Sequence, residues 1–401
     1  MSLRVLVAGG GLGGLCLAQG LRAAGVSVRL FERDATADVR GQGYRLRIDE
    51  RGIEALAQCL PDELFRLFEA TSNPPHPPRG FAFDHQLRQV AAFAKTLGPV
   101  ERRRLSTVAN RRTLRQILLA GLDSAVEFGR EVVAARDTGT GVEVELAGGD
   151  VVTGDLLVAA DGINSTVRGQ LLPHAGLLDT GLRGIYGHAI LDDHLRDVLP
   201  NAIFAGSPPV LGPDGVTMAL GVFRPRESPQ RAAARLAPYA RLSHVPDYVK
   251  WTLVAPPAAI GLTEAEVWAA SPTALYEIAL RVTADWHPAL VELVRCADPP
   301  SMFALSIRAS LPVDPWPTGR ITLLGDAIHA TTPAGGTGAN VALRDAALLT
   351  EYLTMADRGL VDLLDAVAKY EEQMRAYGFA AATRSLQSAE LIFQARLPAL
   401  V

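Results

Sequence analysis

The sequence predicts an α/β protein: a parallel-sheet domain, an interleaved α+β domain of mostly antiparallel strands, and a C-terminal helix. Three observations carry this. An aliphatic run at the N-terminus passes through a glycine-rich turn into a helical stretch and a second strand. Two later aliphatic runs end beside an Asp-Gly and a Gly-Asp pair, the chemistry found at the carboxyl ends of strands in open α/β sheets. Between 181 and 299, apolar and polar residues alternate in short runs, the pattern of antiparallel strands.

Taken in order, Arg4-Val-Leu-Val-Ala8 is a buried parallel strand, followed by Gly9-Gly-Gly11-Leu12-Gly13-Gly14 and a helix from Leu15. A second strand, Val26-Ser-Val-Arg-Leu-Phe31, ends at Glu32-Arg33. This is the GxGxxG dinucleotide fingerprint in its required strand–turn–helix context, the mark of a Rossmann-like fold. Gly9 allows the tight turn, Gly11 admits a pyrophosphate, and Gly14 lets the helix pack on the strand. The pyrophosphate would rest on the helix N-terminus, and Glu32 would accept from the adenosine ribose. A carboxylate there disfavours a 2′-phosphate, so NADP is not expected in this fold; NAD and FAD remain open. A hairpin is expected across Gly148-Gly149, then a strand into Asp161-Gly162 and a helix start through Arg168. Arg320-Ile-Thr-Leu-Leu324 runs into Gly325-Asp326-Ala-Ile-His329, where Asp326 would bond the ribityl chain or ribose of a cofactor lying across the sheet. A loop with Pro333, Gly336 and Gly338 then leads through Ala339-Asn340 into another helix, whose N-terminus is a second anion site.

These three motifs in this order resemble the class A flavoprotein monooxygenases, the para-hydroxybenzoate-hydroxylase-like family, over about residues 3 to 390. Within it the register is similar to tetracycline-inactivating enzymes and other hydroxylases of polycyclic natural products. The resemblance implies FAD as cofactor, NADPH or NADH as transient donor, and O2 as co-substrate. It implies oxygen transfer from a flavin C4a-hydroperoxide to an electron-rich aromatic or polycyclic small molecule. It maps FAD contacts onto Arg111, which leads the helix after Asn110, and onto the loop with Arg40 and Gly43; the Arg matching Arg40 helps recognise NADPH. Arg47 stands where tetracycline enzymes carry an acid, and Thr337 replaces the family's Gln. No Trp-x-Trp-x-Ile-Pro element marks a halogenase. The expected division is 1–75, 100–180 and 300–355 for the FAD domain, 76–99 and 181–299 for the substrate domain, and 356–401 for a helical segment. No thioredoxin-like third domain or membrane tail is expected beyond it.

Composition supplies mainly exclusions. The net charge is −4 with no basic face, which argues against nucleic acid. Seventeen uncharged residues, Val5 to Leu21, contain six glycines and are the pyrophosphate turn rather than a membrane anchor. Three scattered cysteines suit neither a disulfide framework nor a metal site, so a reducing, cytoplasmic location is expected; a monomer or weak homodimer is expected separately. Of 39 basic residues only Lys95, Lys250 and Lys369 are lysines, and most of the 36 arginines are put down to coding bias. His329 is read as structural rather than a base, Arg344-Asp345 as a helix-face pair, Cys16 as core, Pro74–Pro78 as a stiff connection, and Arg102–Arg104 as a solvated patch. Catalytic side chains are not assigned, because the cofactor carries the chemistry. A flavin reductase or oxidase, and a non-hydroxylating flavoprotein that shelters a reactive intermediate, stay open as alternatives. An NAD-only dehydrogenase fits least, since it leaves the Asp-Gly and Gly-Asp segments without a role.

Overall fold

Strands without polar residues must be covered on both faces, and here that requirement builds the central sheet. The computed structural model describes residues 2–37, 44–74, 81–90, 106–204 and 207–394. Arg4–Ala8 lies in the middle of five parallel strands, ordered Ile321–Leu323, Leu156–Ala159, Arg4–Ala8, Ser27–Glu32 and Val126–Phe128. Leu156, Leu157, Val158 and Val7 are fully buried in it. The register aligns Ala8 with Ala159 and Phe31, and Ala159 with Leu323. Gly9, Glu32, Asp161 and Gly325-Asp326 are thereby gathered at one edge, from segments far apart in the chain. The expected hairpin pairs Val142–Leu146 with Val151–Gly154, with Gly148 and Gly149 both at positive φ. Val132–Asp137 joins it as a third strand that the sequence reading passed over.

A second, six-stranded sheet is ordered Phe303–Ser310, Leu177–Ile190, Tyr248–Ala255, Thr217–Phe223, Pro209–Leu211 and Phe83–Asp84. All neighbours are antiparallel except the last pair. The three strands expected here are present. Phe303–Ser310, from the segment 300–355, also pairs into this sheet. Its outer face is covered by Pro272–Val282 and Pro288–Arg295, which bury Leu275, Ile278, Leu290 and Leu293 against Trp251 and Leu253. The C-terminal helix, Leu363–Ile392, packs on Gly338–Asp357. From it Tyr370 donates to the Leu323 carbonyl at 2.9 Å, and buried Glu371 accepts from Thr322 at 2.8 Å. It therefore completes the core under the parallel sheet. Among the described residues no helix is long and apolar enough to cross a membrane. Arg40, Gly43, Arg102–Arg104 and most of the 74–78 proline run lie outside the described residues.

Candidate cofactor-binding site

A cleft of about 400 Å³ opens at the carboxyl edge of the parallel sheet. Its walls include Gly9, Gly11, Leu12, Gly13, Gly14, Glu32, Arg33, Arg111, Asp161, Gly162, Gly325, Asp326, Gly338 and Ala339, all expected from sequence. Pro333, Gly336 and Asn340, also expected there, are not among the wall residues. Arg130, Glu131, Val132 and Leu46 are, and no motif pointed to them.

The turn after the first strand is dictated by contacts. Gly9 has φ +104°, and a Cβ on it would lie 2.4 Å from the Ala160 carbonyl oxygen. A Cβ on Gly14 would lie 2.2 Å from the Gly9 carbonyl oxygen, so the Leu12–Ala23 helix can approach the strand only with glycine there. Gly14→Ala is expected to push that helix off the strand and lower FAD affinity by roughly 5- to 150-fold, on the scale of a 1–3 kcal/mol overpacking cost. Fluorescence titration of the apoprotein with FAD measures it; unchanged affinity would refute the close-packing role. Gly11 differs: nothing lies within 4 Å of its missing Cβ. That side faces the cleft beside the free N–H groups of the helix's first turn.

Glu32 is buried, and its carboxylate accepts from the Gly10 N–H at 2.8 Å and the Asp34 N–H at 2.9 Å. Arg115, also buried, lies 3.7 Å from it and donates to the Gly10 carbonyl at 2.9 Å. Glu32 thus lines the cleft while bracing the glycine turn. Asp161 uses one carboxylate oxygen to accept from the Thr166 N–H at 3.0 Å. Its Oδ1 is buried without a hydrogen-bond partner. Burial raises the Asp161 carboxyl, against hydrogen bonds from Ser165 and nearby backbone. Arg168 staples this segment to the next, donating to the Ile163 carbonyl at 2.9 Å and the Ala327 carbonyl at 2.8 Å.

Asp326 is open to the cleft, with Gly338 beside it: a Cβ at 338 would lie 3.7 Å from its Oδ1. The enclosing walls push its carboxyl up, opposed by His329 and Arg111 and reinforced by Asp345. Behind it, fully buried Asp345 accepts from the Gly325 N–H at 2.8 Å, from His329 Nε2 at 2.7 Å and from Tyr377 Oη at 2.6 Å. Burial disfavours the His329 cation, but Asp345 and Asp326 outweigh it, so the imidazole is raised above 6.5. His329 is 1% exposed and occupies the space left by Gly378. Arg344 does not pair with Asp345; it stacks on the Tyr377 ring, 3.7 Å from the centroid. Adjacent helical residues point about 100° apart, which separates half-buried Arg344 from fully buried Asp345. The helix-face pair expected from sequence therefore does not form. Asn340 is 3% exposed; its amide accepts from the Asp49 N–H at 2.9 Å and donates to the Arg47 carbonyl at 2.9 Å, tying the Arg45–Ile48 strand to the loop. Cys16 is buried core.

Open space at Gly11, an orphaned oxygen on Asp161 and an accessible Asp326 spread along one groove suit a long dinucleotide with a pyrophosphate, ribose hydroxyls and a polar ring system. Fold and groove together define a para-hydroxybenzoate-hydroxylase-like flavoprotein. The chain belongs to the FAD binding domain family, whose model matches residues 2–180 and 283–385. It is 30% identical over 398 residues to the dual O-methyltransferase/FAD-dependent monooxygenase CTB3 of Cercospora beticola, covering 92% of this chain and 44% of that protein. It thus spans less than half the length of that relative. It is 28% identical to the aurachin C monooxygenase/isomerase of Stigmatella aurantiaca, covering 92% of this chain and 84% of that one. Among solved structures, a protein of Photorhabdus luminescens assigned as an FAD containing monooxygenase superposes with a TM-score of 0.83 at 31% identity, covering 98% and 99% of the two chains.

Proposed function

We propose that this protein is an FAD-dependent, NAD(P)H-consuming monooxygenase that hydroxylates an electron-rich aromatic or polycyclic small molecule. The observation that supports it most is the convergence of Gly11, Asp161 and Asp326 in one groove of a chain related to proteins named as monooxygenases. FAD, when bound, supplies electron uptake from NAD(P)H and activation of O2. The protein's part is binding and placement. The helix start at Gly11–Gly14 holds the pyrophosphate, and Glu32 with Arg33 and Arg111 holds the adenosine side. Asp161 and Asp326 accept from hydroxyls, and Gly338-Ala339 flanks the ring system. Arg40 and Gly43, Pro333, Gly336 and Asn340 belong to the same reading as a loop and a support around the ring.

The substrate domain, 76–99 and 181–299, roofs the ring and excludes water. The parallel-sheet segments 1–75, 100–180 and 300–355 hold FAD, and 356–401 supports them. NAD(P)H binds transiently, since only one GxGxxG is present. We further place the protein in the cytoplasm as a monomer or weak homodimer. Turnover with NADPH, 18O2 and a panel of phenols and polycyclic aromatics tests the reading: labelled product is expected. NADPH oxidation with unlabelled product would assign a reductase or oxidase instead.

A further inference from the structure

Along Tyr248–Ala255, side chains alternate between two faces. Val249, Trp251 and Leu253 enter the core under the outer helices. Tyr248, Lys250 and Thr252 therefore turn to the inner face. In register with Lys250 lie His188 on one neighbouring strand and Gly221 on the other. Gly221 leaves room for Arg45: a Cβ there would lie 2.8 Å from Arg45 Cδ. Arg45 Nε donates to the Val222 carbonyl at 3.1 Å, and the next residue, Leu46, is a wall of the cofactor cleft. Lys250 Nζ lies 5.3 Å from the Tyr186 ring centroid, its hydrogen-bond partner being Thr252 Oγ1 at 3.5 Å. Tyr186 stacks against Tyr44 at 3.9 Å and Phe303 at 5.1 Å, and those two rings lie 5.3 Å apart, so the three form one aromatic cluster.

Among the described residues neither Arg45 nor Lys250 pairs with a carboxylate. The charged and titratable groups that bear on Arg45 are Tyr248, Tyr186 and Arg47, and Arg45 in turn bears on Lys250, with His188 in register beside Lys250. Asp298 bears on Tyr44 and His188. Burial, then Arg45, bring Lys250 down to about 7, and burial brings Arg45 to about 10. His188 Nδ1 is buried without a partner. Two enclosed cations without a counter-ion are costly, and an arriving anion relieves that cost. In a chain that uses arginine almost throughout, the lysine here is also a specific choice of a compact point charge.

We infer that this inner face binds the ionised oxygen of a planar aromatic or enolic substrate, with Lys250 and Arg45 as counter-cations, His188 as a neutral hydrogen-bonding group and the Tyr44–Tyr186–Phe303 cluster as an aromatic wall beside it. The inference rests on the monooxygenase reading and narrows its substrate class to acidic phenols, enols or aromatic carboxylates. Having three lysines makes the test direct. In FAD-loaded protein with 13C-labelled lysine, one side-chain resonance, lost in Lys250→Met, should titrate near 7. Adding 1-hydroxy-2-naphthoate should shift that resonance and raise its midpoint, while the neutral methyl ester of its methyl ether should not.

By calorimetry the anion should bind at least about tenfold tighter than the neutral compound. Lys250→Met should erase that preference and Lys250→Arg should retain most of it. An unresponsive Lys250, equal binding of both compounds, no binding of the anion, or a preference that survives Lys250→Met would overturn the inference. A yellow protein that binds the anion but never incorporates 18O leaves this site standing and removes the monooxygenase reading alone.

Discussion

Asp345→Ala is expected to destabilise the protein by about 3–5 kcal/mol, the range for breaking a buried ion pair from one side. The variant would leave His329 as a buried charge and strip the acceptor from the Gly325 N–H and Tyr377 Oη. Urea unfolding should show the midpoint falling with little change in slope. The loss has a pH signature. His329 is raised above 6.5 in the folded protein, so the stabilisation from its protonated form is complete below 6.5 and fades as pH rises through the raised value. The gap between wild type and Asp345→Ala should therefore be widest in mildly acidic buffer and narrower in alkaline buffer. A gap that widens with pH would contradict the pairing. Asp345→Asn, which keeps the volume and one acceptor, should fall between them.

Asp326→Ala is expected to act on cofactor binding instead. Among the described residues the Asp326 side chain makes no hydrogen bond within the protein, so its removal takes from the apoprotein only its charge interactions with His329 and Arg111. Losing a charged acceptor to a cofactor hydroxyl costs about 1.5–3 kcal/mol, or roughly 10- to 100-fold in FAD affinity. The purified variant should be pale, with an apoprotein melting temperature close to that of the wild type. A fully yellow variant with wild-type affinity would remove Asp326 from the site. The pair of variants separates two neighbours: Asp345 holds the strand end in place, and Asp326 meets the ligand.

The sequence disclosed what depends on local pattern. Strand, turn and helix at 4–23 are readable because Gly9 and Gly14 answer to contacts within a few residues or to one adjoining strand. Asp161 and Asp326 are readable because acids at strand ends have few structural uses. Asp345 was misread as the partner of Arg344, since its true partner His329 lies 16 residues away and the burial of the pair depends on Gly378 and Tyr377 from another helix. Arg115 and Arg168, dismissed with the other arginines, are buried staples whose acceptors lie 105 and 159 residues distant. Arg130–Val132 enters the cleft through the pairing of Val132–Asp137, a strand whose pattern is too weak to show. The cations of the inner sheet face could not be found from spacing either, because Arg45 and Lys250 meet only across Gly221.

The cofactor groove is contributed by residues near 9–33, 160–166 and 324–342, held together by Arg168 and by strand pairing. A ligand lying along all three seams binds only the assembled chain, so its free energy adds to folding by mass action. At a free FAD concentration about a thousand times the dissociation constant, that linkage contributes roughly 4 kcal/mol. That is comparable to the whole Asp345 network, so flavin supply in the cell would set the abundance of this protein as well as its colour.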